Sequence, residues 1–159
     1  MQHITDIFFD LDHTLWDFEK NSALTFKKIL SENDVPVEFE RFLAVYVPVN
    51  LEYWRLYREE KISKKELRYQ RLSKTFKAIE FDASDELIDL LSAQYIQYLS
   101  SFNHLFDYTE TLLKNLHGKY KLHIITNGFR EVQRKKIKAS GISEYFEHII
   151  DSESVDVKK

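Results

Sequence analysis

The sequence predicts an α/β fold in which a parallel sheet is interrupted by an inserted helical segment. The chain opens with an apolar strand pattern at 4–10 and closes with alternating helix and strand patterns over 108–151. Between them, residues 17–103 show helical periodicity and no convincing strand. Helix–strand alternation is typical of a layered core. We therefore expect a three-layer, Rossmann-like core with a parallel sheet, formed by 1–16 and 104–159, and an all-helical cap formed by 17–103.

The first predicted strand runs from Ile4 to Asp10. It is rich in bulky apolar residues and ends in an acid, as a buried parallel strand does. Open α/β sheets bind ligands beyond the carboxyl ends of their strands. The polar residues that follow Phe9 are therefore candidates for a functional site.

The inserted segment carries helix signals along its length. Ser63 and Glu66 form the pattern of a capping box at a helix start, and 31–36 reads as the end of the first helix. An apolar stripe over 87–99 predicts another helix. Successive helices without strands indicate a bundle-like unit.

The last third of the chain alternates between helix and strand patterns. The predicted order is a helix over 108–117 closed by Gly118, a strand over 121–126, a helix over 130–140 closed by Gly141, and a strand over 147–151.

Composition excludes several chemistries. Because Gly occurs only at 118, 128 and 141, neither a P-loop nor a G-x-G-x-x-G fingerprint can be written in this chain, and the absence of Cys excludes disulfides and cysteine zinc sites. A net charge of −3 gives no attraction for a nucleic acid polymer. No apolar stretch reaches about 18 residues and no signal peptide is visible, so we expect no membrane association and a cytoplasmic location.

Polar residues follow each predicted strand of the core. Asp10 and Asp12 follow the first, Thr126 and Asn127 end the second, and the third leads towards a lysine pair at 158–159. Two acids, a hydroxyl, an amide and a cation at one rim suit phosphoryl transfer, which depends on positioning and charge neutralisation.

These segments resemble a known family. The stretch 7–15, with apolar residues before Asp-x-Asp-x-Thr, is similar to the first motif of the haloacid dehalogenase-like (HAD) hydrolases, and 122–127 resembles the second. The spacing between them allows the helical cap of one large subgroup. More narrowly, 12–22 and the stretch from Tyr53 to Arg68 resemble the bacterial pyrimidine 5′-nucleotidase branch.

The resemblance implies roles for individual residues. Asp10 would attack phosphorus and form an aspartyl-phosphate, and Asp12 would act as general acid and base. The carboxylate of Asp10 and the backbone carbonyl of Asp12 would face Mg²⁺. The phosphate would be held by Thr14, Thr126 and Asn127. The lysine of the family's third motif would be Lys159, with Lys158 as the alternative.

The implied function is Mg²⁺-dependent hydrolysis of a nucleoside monophosphate, that is, a 5′-nucleotidase. Asp12 favours a phosphatase over a dehalogenase because a departing alkoxide needs a proton and a halide does not. Three alternatives remain: a phosphatase for a sugar phosphate or phosphoglycolate-like substrate, a regulatory module with a long-lived phosphorylated Asp10, and a catalytically weak phosphate-binding fragment.

The sequence departs from the family pattern after Lys159, before the acidic fourth motif that completes the metal site. We therefore expect an incomplete core with weak Mg²⁺ binding, and an uncovered sheet edge that promotes dimers or aggregates. A monodisperse monomer in sedimentation would contradict this expectation.

Two further groups of residues receive structural interpretations. The basic residues of the helix over 130–140 are expected on its solvated face: Arg134, Lys135, Lys136 and Lys138. Several aromatic residues are expected to be core, with a base-stacking wall as the alternative: Trp16, Phe18, Tyr53, Trp54 and Tyr57.

Overall fold

The computed structural model describes residues 4–155 of the 159-residue chain. The strands are β1 (Asp6–Phe9), β2 (Lys121–Thr126) and β3 (His148–Asp151). The helices are α1 (Phe18–Glu32), α2 (Phe39–Arg58), α3 (Lys64–Ala78), α4 (Asp85–Tyr98), α5 (Thr109–Leu116), α6 (Arg130–Ala139) and α7 (Ser152–Val155). Single 3₁₀ turns occupy Leu99–Ser101 and Ser143–Tyr145.

The three strands form one parallel sheet in the order β1–β2–β3. Phe9 of β1 pairs with Ile124 of β2, and Thr126 at the end of β2 pairs with Asp151 of β3. Because the strands are parallel and in this register, their carboxyl ends meet at one edge of the sheet. The predicted α/β class is confirmed.

The chain divides into two compact units, one formed by residues up to Ser22 together with those from Leu99 onwards, and one formed by Ala23–Tyr98. The α/β unit therefore takes in a few more residues on each side than the boundaries expected from sequence. Asn21 gives the reason. Its Nδ2 donates to the carbonyl of His104 at 2.9 Å, and its Oδ1 accepts from the backbone N–H of the same residue at 2.9 Å. These bonds connect the two chain segments that form the α/β unit.

The helical unit has an aromatic core. The ring of Phe26 packs edge-on against Tyr46 with centroids 4.4 Å apart and stacks on Tyr95 at 4.6 Å. The predicted capping box is present at the start of α3, where Ser63 and Glu66 exchange side-chain to backbone hydrogen bonds. The role of this unit as a cap stays a prediction.

The core of the α/β unit is built from β2 and the segments around it. Its buried apolar residues include Leu11, Leu15, Trp16, Leu113, Leu122, Ile124, Val132, Ile137 and Ile142. Gly118 and Gly141 follow α5 and α6 with φ of 80° and 71°, the left-handed conformation that closes helices. In the described part of the chain, no helix is both long and apolar enough to cross a bilayer.

Strand β1 lies at the edge of the sheet, and within residues 4–155 it pairs with β2 alone. Phe8 in β1 and Ile4, two residues before the strand, expose 54% and 73% of their surface. An exposed apolar edge of this kind favours pairing with another strand. Self-association into a homodimer stays a prediction.

Candidate active site

The loop after β1 positions the first pair of candidate acids, Asp10 and Asp12. The carbonyl of buried Leu11 accepts hydrogen bonds from the backbone N–H groups of Leu15 and Trp16, both at 3.0 Å. This tight turn places Asp12 beyond the carboxyl end of the strand, with its side chain 21% exposed.

Both carboxylate oxygens of Asp12 are bound by side chains of α6. Lys136 Nζ lies 2.7 Å from Oδ1, and Gln133 Nε2 donates to Oδ2 at 2.9 Å. Because residues three apart lie on the same face of a helix, one face of α6 supplies both donors.

Thr126, at the end of β2, is joined to the same network. Its Oγ1 accepts from Gln133 Nε2 at 2.8 Å and from the backbone N–H of Gly128 at 3.1 Å. The structure therefore brings Asp12 and Thr126 together through a single amide group, as expected for two residues at the carboxyl ends of neighbouring strands.

Lys136 is buried, and its predicted place on a solvated face is wrong. Its side chain is 2% exposed, and Nζ lies 4.2 Å from the centre of the Trp16 ring and 5.2 Å from that of Phe18. The ammonium group can be buried beside these aromatic rings because the Asp12 carboxylate compensates its charge. Its basic neighbours on the helix are exposed as expected: Arg134, Lys135 and Lys138.

Sequence reasoning missed Gln133 and Lys136 as site residues, although a signal was present. Val132 and Ile137 mark the buried face of α6, and Gln133 and Lys136 lie between them on the same face. A polar pair among apolar positions at helical spacing indicates buried polar partners.

The structure places the other predicted site residues in the turn after β1 or directly after a strand. Thr14 is exposed in the turn, where its backbone N–H donates to Leu11 at 3.3 Å. Asp10 and Asn127 are half-buried and directly follow β1 and Thr126, respectively. Lys158 and Lys159 lie outside the described residues.

The acid at the end of β3 has other partners. Asp151 is buried, and its two carboxylate oxygens lie 3.3 and 3.4 Å from Nε of Arg130. Burial opposes ionisation, but hydrogen bonds from Ser154 and Arg130 outweigh it and hold the pKa of Asp151 below its ordinary value. Asp151 therefore pairs with the first residue of α6.

The donor chemistry near Asp10 suits Mg²⁺, which is usually held by one or two carboxylates together with substrate phosphate and water. Asp10 can supply a carboxylate and Asp12 a backbone carbonyl, while the Asp12 side chain is held by Gln133 and Lys136. Within residues 4–155, no three histidine or acidic side chains are grouped as a ready-made metal cage. The residues fit an ion that is completed by substrate.

Comparisons with known proteins agree with the fold. The chain is 28% identical over 159 residues to the HAD-hydrolase YfnB of Bacillus subtilis, covering all of this chain and 66% of that protein. It is 31% identical over 156 residues to the pyrimidine 5′-nucleotidase PynA of Streptococcus pneumoniae, covering 96% and 63%. It therefore spans slightly less than two thirds of the length of these relatives.

Solved structures show the same architecture. A magnesium-bound crystal structure of YfnB superposes with a TM-score of 0.89 over 99% of this chain and 69% of that one, at 28% identity. The L-2-haloacid dehalogenase of Xanthobacter autotrophicus shares the fold at 17% identity, with a TM-score of 0.73 over 99% and 60% of the two chains.

The family model described as haloacid dehalogenase-like hydrolase matches residues 6–159, which include both strand-end motifs. The resemblance seen in the sequence is thereby confirmed, and the chain belongs to the haloacid dehalogenase-like hydrolase family.

Proposed function

We propose that the protein is a Mg²⁺-dependent phosphomonoesterase that hydrolyses a nucleoside monophosphate through an aspartyl-phosphate. The observation that carries this proposal is that Gln133 connects Asp12 to Thr126 by hydrogen bonds. Asp12 itself lies two residues after the candidate nucleophile Asp10. An acid beside a hydroxyl donor at the rim of a parallel sheet supplies the two functions that phosphoryl transfer needs next to a nucleophile.

The first step transfers the phosphoryl group to the protein. A carboxylate oxygen of Asp10 attacks phosphorus, the bond from phosphorus to the ester oxygen breaks, and Asp12 gives its proton to the departing alkoxide. The products of this step are the free nucleoside and phosphorylated Asp10.

The second step restores the enzyme. Asp12 takes a proton from a water molecule as that water attacks phosphorus, and the bond to Asp10 breaks to release inorganic phosphate. One residue serves as acid and then as base, so its carboxylate must keep the same position through both steps.

Charge neutralisation is the main electrostatic requirement. A carboxylate and a phosphate about 4 Å apart repel by about 4 kcal/mol at an effective dielectric constant of 20. Lys136 offsets the charge of Asp12 from a buried position, and the Thr126 hydroxyl can donate to a phosphate oxygen. Mg²⁺, held by Asp10 and the backbone carbonyl of Asp12, would supply further positive charge when bound.

The substrate class is inferred from relatives. PynA and the Escherichia coli protein YjjG, which is 27% identical over 153 residues, are both named pyrimidine 5′-nucleotidases. We propose a nucleotide for this chain on that basis.

A substrate panel tests the proposal. The protein is assayed with Mg²⁺ on purine and pyrimidine nucleoside monophosphates, sugar phosphates and phosphoglycolate, beside an Asp10→Asn variant. We expect preferential release of phosphate from pyrimidine nucleotides and none by Asp10→Asn. Preference for a sugar phosphate would change the substrate class, whereas a stable phosphorylated Asp10 without turnover would favour the regulatory module.

A further inference from the structure

Gln133 is the most buried polar contact of the proposed acid. The residue is 1% exposed, lies in the first turns of α6, and touches Asp12 and Thr126 with the same nitrogen. Neither of its partners belongs to α6, so this amide links the loop after β1 to the end of β2.

The chemistry of the partners decides how the amide is oriented. An ionised carboxylate can only accept hydrogen bonds, so the group of Gln133 that faces Asp12 must be its NH₂. The second hydrogen of the same NH₂ then points at Thr126 Oγ1, which lies 2.8 Å away. Thr126 must accept this bond.

The direction of the Thr126 hydroxyl follows. A hydroxyl oxygen has two lone pairs and one hydrogen. Gln133 and the backbone N–H of Gly128 fill both lone pairs, and within residues 4–155 the hydroxyl hydrogen makes no hydrogen bond to a protein acceptor. The only remaining capacity of this buried side chain is to donate, which is what an anionic phosphate oxygen requires.

Gly128 makes room for this arrangement. A Cβ at this position would lie 2.3 Å from Gln133 Cδ, so any larger residue must displace the amide. The hydrogen bonds of Gln133 with Asp12 and Thr126 therefore require glycine at position 128.

We propose that Gln133 is a positioning residue that fixes the Asp12 carboxylate and turns the Thr126 hydroxyl hydrogen towards the phosphate of the substrate. The inference rests on the proposed phosphomonoesterase function. Each Asp12 oxygen accepts one bond from α6 and keeps a second lone pair for the transferred proton, so the contact can persist while Asp12 alternates between acid and base.

Three variants test this role in the Mg²⁺-loaded protein. Gln133→Met keeps the length of the side chain and removes both donors. Gln133→Glu keeps the shape but places a second carboxylate beside Asp12. Lys135→Met changes an exposed neighbour on α6 and is the matched control.

We expect Gln133→Met to lower kcat by about 10–100-fold, as for other residues that orient a reacting group, and to raise KM by about tenfold because a donor to the substrate phosphate is misdirected. Gln133→Glu is expected to be less active at pH 8 and to recover partly towards pH 5, because a protonated carboxyl regains one donor. Lys135→Met should match the wild type. A role in packing alone would give no such recovery.

Inorganic phosphate provides a readout that does not need turnover. In calorimetric titrations, Gln133→Met and Thr126→Val should bind phosphate about tenfold more weakly than the wild type and Lys135→Met, because a donor to the anion is lost or misdirected. If the wild type binds phosphate but hydrolyses no ester, the proposed function fails and this comparison alone decides the inference. Equal phosphate binding by Gln133→Met and Lys135→Met, or no binding by the wild type, overturns it.

Discussion

Lys136 Nζ lies 2.7 Å from Asp12 Oδ1, and this ion pair joins a helix to a loop that is 124 residues earlier in the chain. The lysine is 2% exposed whereas the aspartate is 21% exposed. The ammonium has therefore left water almost completely, while the carboxylate keeps one side open towards solvent. An acid held from the interior and accessible from the outside is suited to exchange protons with a substrate.

Replacement of Lys136 by Met should destabilise the fold. The change leaves the Asp12 carboxylate without its ammonium partner and removes the contact between the ammonium and the Trp16 ring. Loss of one member of a buried pair costs about 3–5 kcal/mol, and partial exposure of Asp12 reduces this to about 2–3 kcal/mol. Urea unfolding measures the change.

The control for this variant is Lys135→Met, the same substitution at an exposed position one residue away. It should alter the free energy of unfolding by less than about 0.5 kcal/mol. Equal effects of the two substitutions would show that the Asp12 contact contributes nothing to stability.

Gly128 and Gln133 should behave as a coupled pair. Gly128→Ala places a methyl group 2.3 Å from Gln133 Cδ and should cost about 1–3 kcal/mol. Gln133→Ala removes the obstructing atoms, so adding Gly128→Ala to it should cost little more. A double-mutant cycle by thermal or urea unfolding should give a coupling energy of about 1 kcal/mol or more, and strict additivity would contradict the steric interpretation.

The stability of the α/β unit should depend on the ionisation of Asp6. Hydrogen bonds from the Thr5 hydroxyl and from Nε2 of His123 hold the pKa of Asp6 below its ordinary value. A carboxyl whose pKa is lower in the folded than in the unfolded state contributes stability above the unfolded value and loses it as the pH falls through the folded value.

The test compares wild type with Asp6→Asn in urea unfolding from pH 7 to pH 3. The difference in midpoint should shrink below about pH 4, because only the wild type loses the ionised contact there. A difference that is the same at all pH values would show that Asp6 acts through its shape and not its charge.

Asn21 should be among the most sensitive polar residues of the chain. It is fully buried. Its Nδ2 donates to the carbonyl of Asp17 at 2.8 Å as well as to that of His104, and its Oδ1 accepts from the backbone N–H of His104. Asn21→Ala removes the side-chain partners of the backbone groups of His104 and Asp17 and should cost about 1–3 kcal/mol of unfolding free energy.

Asn21→Asp sharpens this test because it keeps the size of the side chain. It can still accept from the N–H of His104 but turns an oxygen towards two carbonyls, so it should be no better than Asn21→Ala near neutral pH. Asn33→Ala, at a half-buried asparagine in the turn directly after α1, is the control and should cost less than about 1.5 kcal/mol. Retention of wild-type stability by Asn21→Asp would show that the donors of Asn21 are dispensable.

Local patterns accounted for much of the fold. Strand β2 occupies the predicted 121–126, α6 ends one residue before the predicted Ser140, and the capping box at Ser63 and Glu66 is present. These features depend on residues close together in the chain, namely apolar periodicity, a cap and a helix-closing glycine, so they can be read without knowledge of the tertiary contacts.

The extent of the α/β unit was less accessible from sequence. The residues after Trp16 have a helical pattern, and α1 does begin at Phe18. Their association with the α/β unit depends on Asn21 and His104, which are 83 positions apart. No local pattern indicates that pairing.

The sequence by itself determined the family, the parallel α/β core and the placement of Asp10, Asp12 and Thr126 at strand ends, because strand pattern and motif spacing are properties of short segments. Only the tertiary structure decided that Gln133 and Lys136 bind the carboxylate of Asp12. Lysine and glutamine are ordinarily solvated, and their burial is favourable here only because a distant carboxylate and hydroxyl satisfy them. The polar groups that compensate each other become neighbours only when the chain has folded.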